Sequence, residues 1–187
     1  MSVARALAFA LLVACGGSAE PPPVLMEVPS FRLVDQTGEA FGSDELRGRV
    51  WVANTIFTTC PTVCPLLTSQ MANLQRRFAE RELDVRLVSF SVDPENDTPE
   101  ALAAYAQRNG ADPARWRFLT GEREALRTIL EDGLRVRMGG ERSPSGDIAH
   151  GTHFVLVDAS ARLRGFYAND GAGLGKLERD VAAILAD

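Results

Sequence analysis

The sequence predicts an α/β sandwich, and three observations carry that reading. Strand-like and helix-like apolar patterns alternate along the chain. Residues 50–57 form a nearly unbroken apolar, β-branched run, the mark of a strand covered on both faces. The last third ends in a strand pair followed by one amphipathic helix.

Taken in order, residues 31–34 and 39–41 flank a turn containing Gly38 and read as an N-terminal β-hairpin. Ser43 or Asp44 caps a short helical turn through Leu46, which Gly48 ends. After the 50–57 strand, Leu67, Met71, Leu74 and Phe78 recur at spacings of four, three and four, one helical face. Residues 85–92 form a second buried strand, left through Asp93-Pro94. Thr98 then caps a helix with Pro99 at its first position, and Gly110 stops it. Residues 116–119 are a short strand. Residues 122–132 are a helix with Ala125, Leu126, Ile129 and Leu130 inward, ended by Gly133. Gly and Ser-Pro signals make 139–146 a loop. Strands over 152–157 and 163–167 pair about a turn at 158–161, and a helix over 174–185 closes the chain. This order is that of the thioredoxin class, in one domain.

A length of 187 residues suits that domain plus short extensions. The net charge of -5 argues against nucleic-acid binding, which needs a clustered basic surface. At the N-terminus, Arg5 precedes an apolar run over 6–14, followed by Cys15-Gly16. A small residue before the cysteine and Leu12 three positions upstream resemble a bacterial lipoprotein signal, cut before a cysteine that receives lipid. The run is shorter than the roughly 20 residues a membrane span needs. The expected organisation is a signal and lipid-anchor cysteine over 1–15, an extended tether over 16–29, and the domain over 30–187. It places the domain outside the cytoplasm, in the bacterial periplasm or at the cell surface, anchored to membrane. The small, acidic and proline residues of 16–23 need not pack against anything.

With Cys15 assigned to lipid, Cys60 and Cys64 remain, at the junction of the 50–57 strand and the next helix. Thiols in an oxidising compartment form disulfides unless they are redox-active or bind metal. Pro65 fits a first helical position and pushes Cys64 away from helical angles, so both cysteines are expected on the irregular turn before the helix. There the free N–H groups and the helix dipole should favour thiolate at both positions. A structural disulfide, a redox dithiol and a metal site all remain open. The first closes only a small loop and stabilises little.

The chain has two histidines. His150 follows the flexible loop and precedes a strand that, in a thioredoxin-class sandwich, starts beside the cysteine helix. His153 lies in an apolar run and reads as a core or supporting residue. Two thiolates and an imidazole suit copper, Cu(I) above all. Structural zinc wants four protein ligands, which only a carboxylate such as Asp93 or Asp147 could complete. Thioredoxin-like oxidoreductases carry a cis-proline facing the cysteines; here no proline follows Pro144, and Thr152 holds that position.

Four blocks in order resemble the SCO/SenC family over residues 31–187: Thr-Cys-Pro-Thr-Val-Cys-Pro at 59–65, Ser-Val-Asp-Pro-Glu-Asn-Asp-Thr-Pro-Glu at 91–100, Trp-Arg-Phe-Leu-Thr-Gly at 116–121, and His150 eight residues before Asp158. The resemblance implies a thioredoxin-like sandwich with a loop or hairpin inserted near the histidine, here 136–148. It implies one copper ion, Cu(I) or Cu(II), on Cys60, Cys64 and His150. It further implies that the protein takes copper from donor proteins and serves the CuA site of cytochrome c oxidase, acting on the copper-bearing subunit or its assembly factors. The alternative is a thiol–disulfide oxidoreductase in which Cys60 and Cys64 are the catalytic pair; peroxidase activity is weaker, since it does not need that spacing. Family members usually have Asp-His-Ser/Thr where this chain has Ala149-His150-Gly151, which leaves the partner of the imidazole open.

Overall fold

The computed structural model describes residues 20–187 except Glu141 and Ser145. Its strands are β1 (Met26–Glu27), β2 (Arg32–Asp35), β3 (Ala40–Gly42), β4 (Val50–Ile56), β5 (Val85–Ser91), β6 (Trp116–Thr120), β7 (Phe154–Val157) and β8 (Arg162–Tyr167). They form one mixed sheet in the order β1-β8-β7-β4-β5-β6-β2-β3. The centre, β4-β5-β6, is parallel, and the flanking pairs are antiparallel. Parallel neighbours need crossovers. These are α2 (Cys64–Glu80) between β4 and β5, and α3 (Pro99–Arg108) between β5 and β6.

Every residue of β4 is buried, as its nearly unbroken apolar run requires. The face of α2 read from the sequence, Leu67, Met71, Leu74 and Phe78, is buried to 2% exposure or less. Removing such side chains from water stabilises by about 1.5–3 kcal/mol each. Thr68 ties α2 to α3 through Tyr105 (2.8 Å). Gln70 and Arg77 tie it to Asn169 and Glu178, at and within the terminal helix α5 (Gly171–Ala186). This packing fixes the start of α2 against the C-terminal end of β4, where the cysteines lie.

Several boundaries differ from the sequence reading for local reasons. The short helix α1 (Ser43–Leu46) is preceded by Gly42, whose N–H donates to Glu45, while the Ser43 hydroxyl accepts from Phe31 N–H instead of capping. The helix expected over 122–132 is α4 (Arg123–Arg127), which widens into a π-helical turn over Thr128–Gly133. Among its described residues, the insert over 136–148 has no regular strands; an isolated bridge between Met138 and His150 closes it as a loop. The segment expected to be an unpacked tether is docked from Pro22 onward. Pro22 and Val28 are buried, β1 pairs with β8, and the buried Arg164 guanidinium donates to the Pro22 carbonyl. Left bare, β8 would expose an unpaired sheet edge.

Candidate metal centre

The cysteine turn is held from below by a buried carboxylate. Thr58 donates to Asp97 through its N–H (3.0 Å) and its hydroxyl (2.6 Å), and Ser91 donates to the other Asp97 oxygen (2.5 Å). Asp97 is fully buried, and burial pushes its carboxyl pKa up despite these donors. Cys60 N–H then closes a turn on Phe57 O (3.2 Å). Cys64 is the first residue of α2 with Pro65 second, so one cysteine of the pair, rather than neither, belongs to the helix. The N–H of Cys64, free at the helix start, donates to Cys60 Sγ at 3.3 Å.

The two free thiols are unlike. Cys60 is half-buried. Burial works against its thiolate, but contacts from Cys64 and Thr62 outweigh it and lower the pKa. Cys64 is fully buried. Burial, then the neighbouring Cys60 and the Asp97 charge, raise its pKa despite a backbone contact from Phe57. The two positions expected alike are therefore pushed in opposite directions: the pKa falls at Cys60 and rises at Cys64, where desolvation exceeds the helix-terminus effect.

His150 reaches the pair from the loop before β7. Its Nε2 lies 3.5 Å from Cys64 Sγ. Its Nδ1 faces Gly151 O at 2.7 Å and Thr55 Oγ1 at 3.0 Å, and the Thr55 hydroxyl donates to the same carbonyl at 2.8 Å. A carbonyl can only accept, so Nδ1 carries the proton and Nε2 presents its lone pair to the sulfurs. Burial lowers the His150 pKa, with Gly151 and Asp147 opposing, which favours this neutral form.

Cys60, Cys64 and His150 thus offer three donor atoms lying within 4.8 Å of one another. Two sulfurs and an imidazole fit a soft, thiophilic cation. Neither carboxylate considered as a fourth ligand joins them: Asp93 is engaged by Arg142 and Asn96, and Asp147 accepts from Thr62. His153 stands outside the cluster, half-buried, its ring edge-on to Phe166 (5.3 Å) and its Nε2 without a hydrogen-bond partner. Thr152 is exposed, and there is no cis peptide bond among the described residues. Thr55, Asp97 and Arg142 were missed by sequence reasoning. A polar Thr55 as the penultimate residue of a mostly apolar strand is the one signal that could have marked such a role. Cys15 and the signal lie outside the described residues.

These features define a thioredoxin-like α/β domain that presents two thiols and an imidazole at the end of its central parallel strands. The chain belongs to the SCO1/SenC family, whose description matches residues 21–186. It is 36% identical over 159 residues to the SCO1 protein homolog of Bacillus subtilis, covering 84% of this chain and 81% of that one. It is 31% identical over 140 residues to a protein of Stutzerimonas stutzeri described as copper-binding, covering 74% of this chain and 67% of that one. Among solved structures it resembles a SCO1/SenC family lipoprotein from Bacillus anthracis, with a TM-score of 0.81, 35% identity, and coverage of 89% of this chain and 99% of that one. It also resembles BsSco, a member of the Sco family of cytochrome c oxidase assembly proteins that contains a disulfide switch, with a TM-score of 0.76, 30% identity, and coverage of 90% and 98%. No helix among the described residues is long and apolar enough to cross a membrane.

Proposed function

We propose that this chain binds one copper ion through Cys60 Sγ, Cys64 Sγ and His150 Nε2 and carries it to cytochrome c oxidase during assembly of the CuA site. The observation that carries this reading is the convergence of the three donors, with the imidazole held in the tautomer that leaves Nε2 free. Thiolates and imidazole are the donors copper prefers, and family membership supports copper over other soft cations. Copper arrives from donor proteins and leaves toward the copper-bearing oxidase subunit or its assembly factors. Lipid on Cys15 keeps the domain at the outer side of a membrane, and the lipoprotein relative supports that placement.

A second reading rests on the unlike thiols. Cys60, accessible and with a lowered pKa, is the attacking sulfur of a thiol–disulfide exchange, and the buried Cys64 resolves it. His150→Ala separates the two readings. It should sharply weaken copper binding while the cysteines still cycle between dithiol and disulfide. Cys60→Ser or Cys64→Ser should abolish both, and His153→Gln should keep copper affinity within about tenfold, the lower end of outer-sphere effects. Copper stoichiometry and disulfide exchange are measured on each variant beside oxidase assembly in cells. A His150→Ala protein with full copper affinity, or one that supports assembly as well as the wild type, overturns the copper reading in favour of the oxidoreductase.

A further inference from the structure

The loop between Met138 and His150 looks flexible in sequence yet is pinned. Ser143 N–H donates to Asp147 O (2.7 Å), Asp147 N–H to Ser143 Oγ (3.0 Å), and Gly146 N–H to Ser143 O (2.9 Å). Arg142 Nη1 donates to Gly146 O (2.8 Å), so these residues form one self-bonded body. At the stem, Gly151 N–H donates to Arg137 O (3.1 Å). A Cβ on Gly139 would stand 2.0 Å from Ala149 O, so the two legs of the loop meet too closely for any other residue. His150 stands three residues beyond Asp147, so the contacts that hold these residues also bear on the imidazole.

Side-chain contacts tie the loop to the rest of the site: the Thr62 hydroxyl donates to Asp147 (2.8 Å) from the cysteine turn, and Arg142 reaches the end of β5. Arg142 Nη2 pairs with Asp93, at the C-terminal end of β5, whose side chain is 6% exposed and also accepts from Asn96 Nδ2 at 3.0 and 3.1 Å. The guanidinium lies 5.2 Å over the ring of the buried Phe57, and Phe57 stands perpendicular to the His150 ring at 5.9 Å. Asp93, Arg142, Phe57 and His150 are therefore in continuous contact. An exposed ion pair would do little. This one has a buried carboxylate on one side and a buried aromatic face beneath it, and an arginine over an aromatic face is attracted electrostatically.

We infer that Arg142 is a positioning residue: it latches the histidine loop to Asp93 and Phe57, and this latch sets how long the site retains its copper. The inference rests on the copper reading above. When the latch opens, the imidazole leaves while both sulfurs stay on β4–α2, and a three-donor site becomes a two-donor one.

The test compares Arg142→Ala, Arg142→Lys, Asp93→Asn and His150→Ala in otherwise intact, reduced protein loaded with one equivalent of copper. Release to a chelator is followed by absorbance, alongside the Cu(II)–thiolate spectrum and the dithiol–disulfide equilibrium. Arg142→Ala and Asp93→Asn should release copper about tenfold faster, the scale of outer-sphere losses. The Arg142→Ala spectrum should move toward that of His150→Ala, and the dithiol–disulfide equilibrium should stay within about twofold of wild type. Arg142→Lys keeps the ion pair and should recover part of the retention. If Arg142→Ala releases copper at the wild-type rate while His150→Ala does not, the latch is refuted and the copper site stands. If neither variant changes release, the copper reading itself falls. A disulfide equilibrium that shifts as much as the release rate would make Arg142 a general structural residue and refute the assignment.

Discussion

Thr55→Val removes one hydroxyl from the wall of the site and leaves its shape. The hydroxyl donates to Gly151 O at 2.8 Å and touches His150 Nδ1 at 3.0 Å, on a side chain that is 1% exposed. The Gly151 carbonyl keeps its other partner, Nδ1–H at 2.7 Å, so no buried acceptor is orphaned. The stability cost should then be that of one net hydrogen bond, about 1 kcal/mol. For a chain of this size that is a fall of roughly 2–4 °C in Tm. The effect on copper should be larger in proportion. The imidazole loses one of the two groups that fix its ring, and affinity should drop about tenfold. Competition titration against a copper chelator, run beside thermal melts, measures both. Thr55→Ser keeps the hydroxyl and should bind as the wild type does. A Thr55→Val protein that melts lower yet binds copper within twofold of wild type would refute the argument that this hydroxyl orients the ligand. A Thr55→Ser protein as weak as Thr55→Val would equally refute it, because the serine variant keeps the hydroxyl.

Two further outcomes are expected. Asp158 is 3% exposed; burial works against its charge, yet Arg164, Arg162 and the Ser160 and Arg162 N–H groups together hold its pKa below the ordinary carboxylate value. Because the folded pKa is depressed, its contribution is complete above about pH 4 and is lost as the pH falls through the lowered value. Asp158→Asn should cost about 3 kcal/mol at pH 7 by stranding the buried Arg164 charge. Urea denaturation should show the gap to wild type narrowing in acid, and a gap independent of pH would count against the pair. Cys15→Ser should abolish fatty-acid labelling and free the protein from membranes; a variant that still takes label shows that the anchor lies elsewhere.

The strands and helices that carry the site were legible because their signals are local. The run over 50–57, the spacing of Leu67 to Phe78, and the Thr98-Pro99 cap each became the element expected, with the Thr98 hydroxyl accepting from Ala101 N–H. What escaped depended on contacts between distant segments. Pro22 lies 142 positions from the Arg164 that clamps it, so nothing within the N-terminal segment announces docking. Arg49, Arg86, Arg115 and Arg117 look scattered in sequence but line one cavity. There burial, and then the neighbouring guanidinium charges, lower the Arg86 pKa. Cys60, Cys64 and His150 could be named from residue type, but which sulfur is buried depends on where α2 begins, a matter of a single residue.

That one-residue difference bears on the demands of the two chemistries proposed for this cysteine pair. Cys60, on the open turn, is stabilised as thiolate by the N–H at the start of the helix. Cys64, one step inside, is sealed beneath the turn; burial, then Cys60 and the Asp97 charge, push its pKa up. In disulfide exchange this inequality is useful, because only one sulfur needs to attack and the other can resolve later. A metal site makes a different demand, since both sulfurs must be deprotonated to ligate. A cation held by these residues would supply the charge that stabilises the Cys64 thiolate, which the protein by itself disfavours. His150 Nε2, 3.5 Å from Cys64 Sγ, would be the third donor to such a cation. An imidazole there adds a donor without adding negative charge. A carboxylate in its place would add a second anion beside Asp97 and raise the cost of ionising Cys64 further.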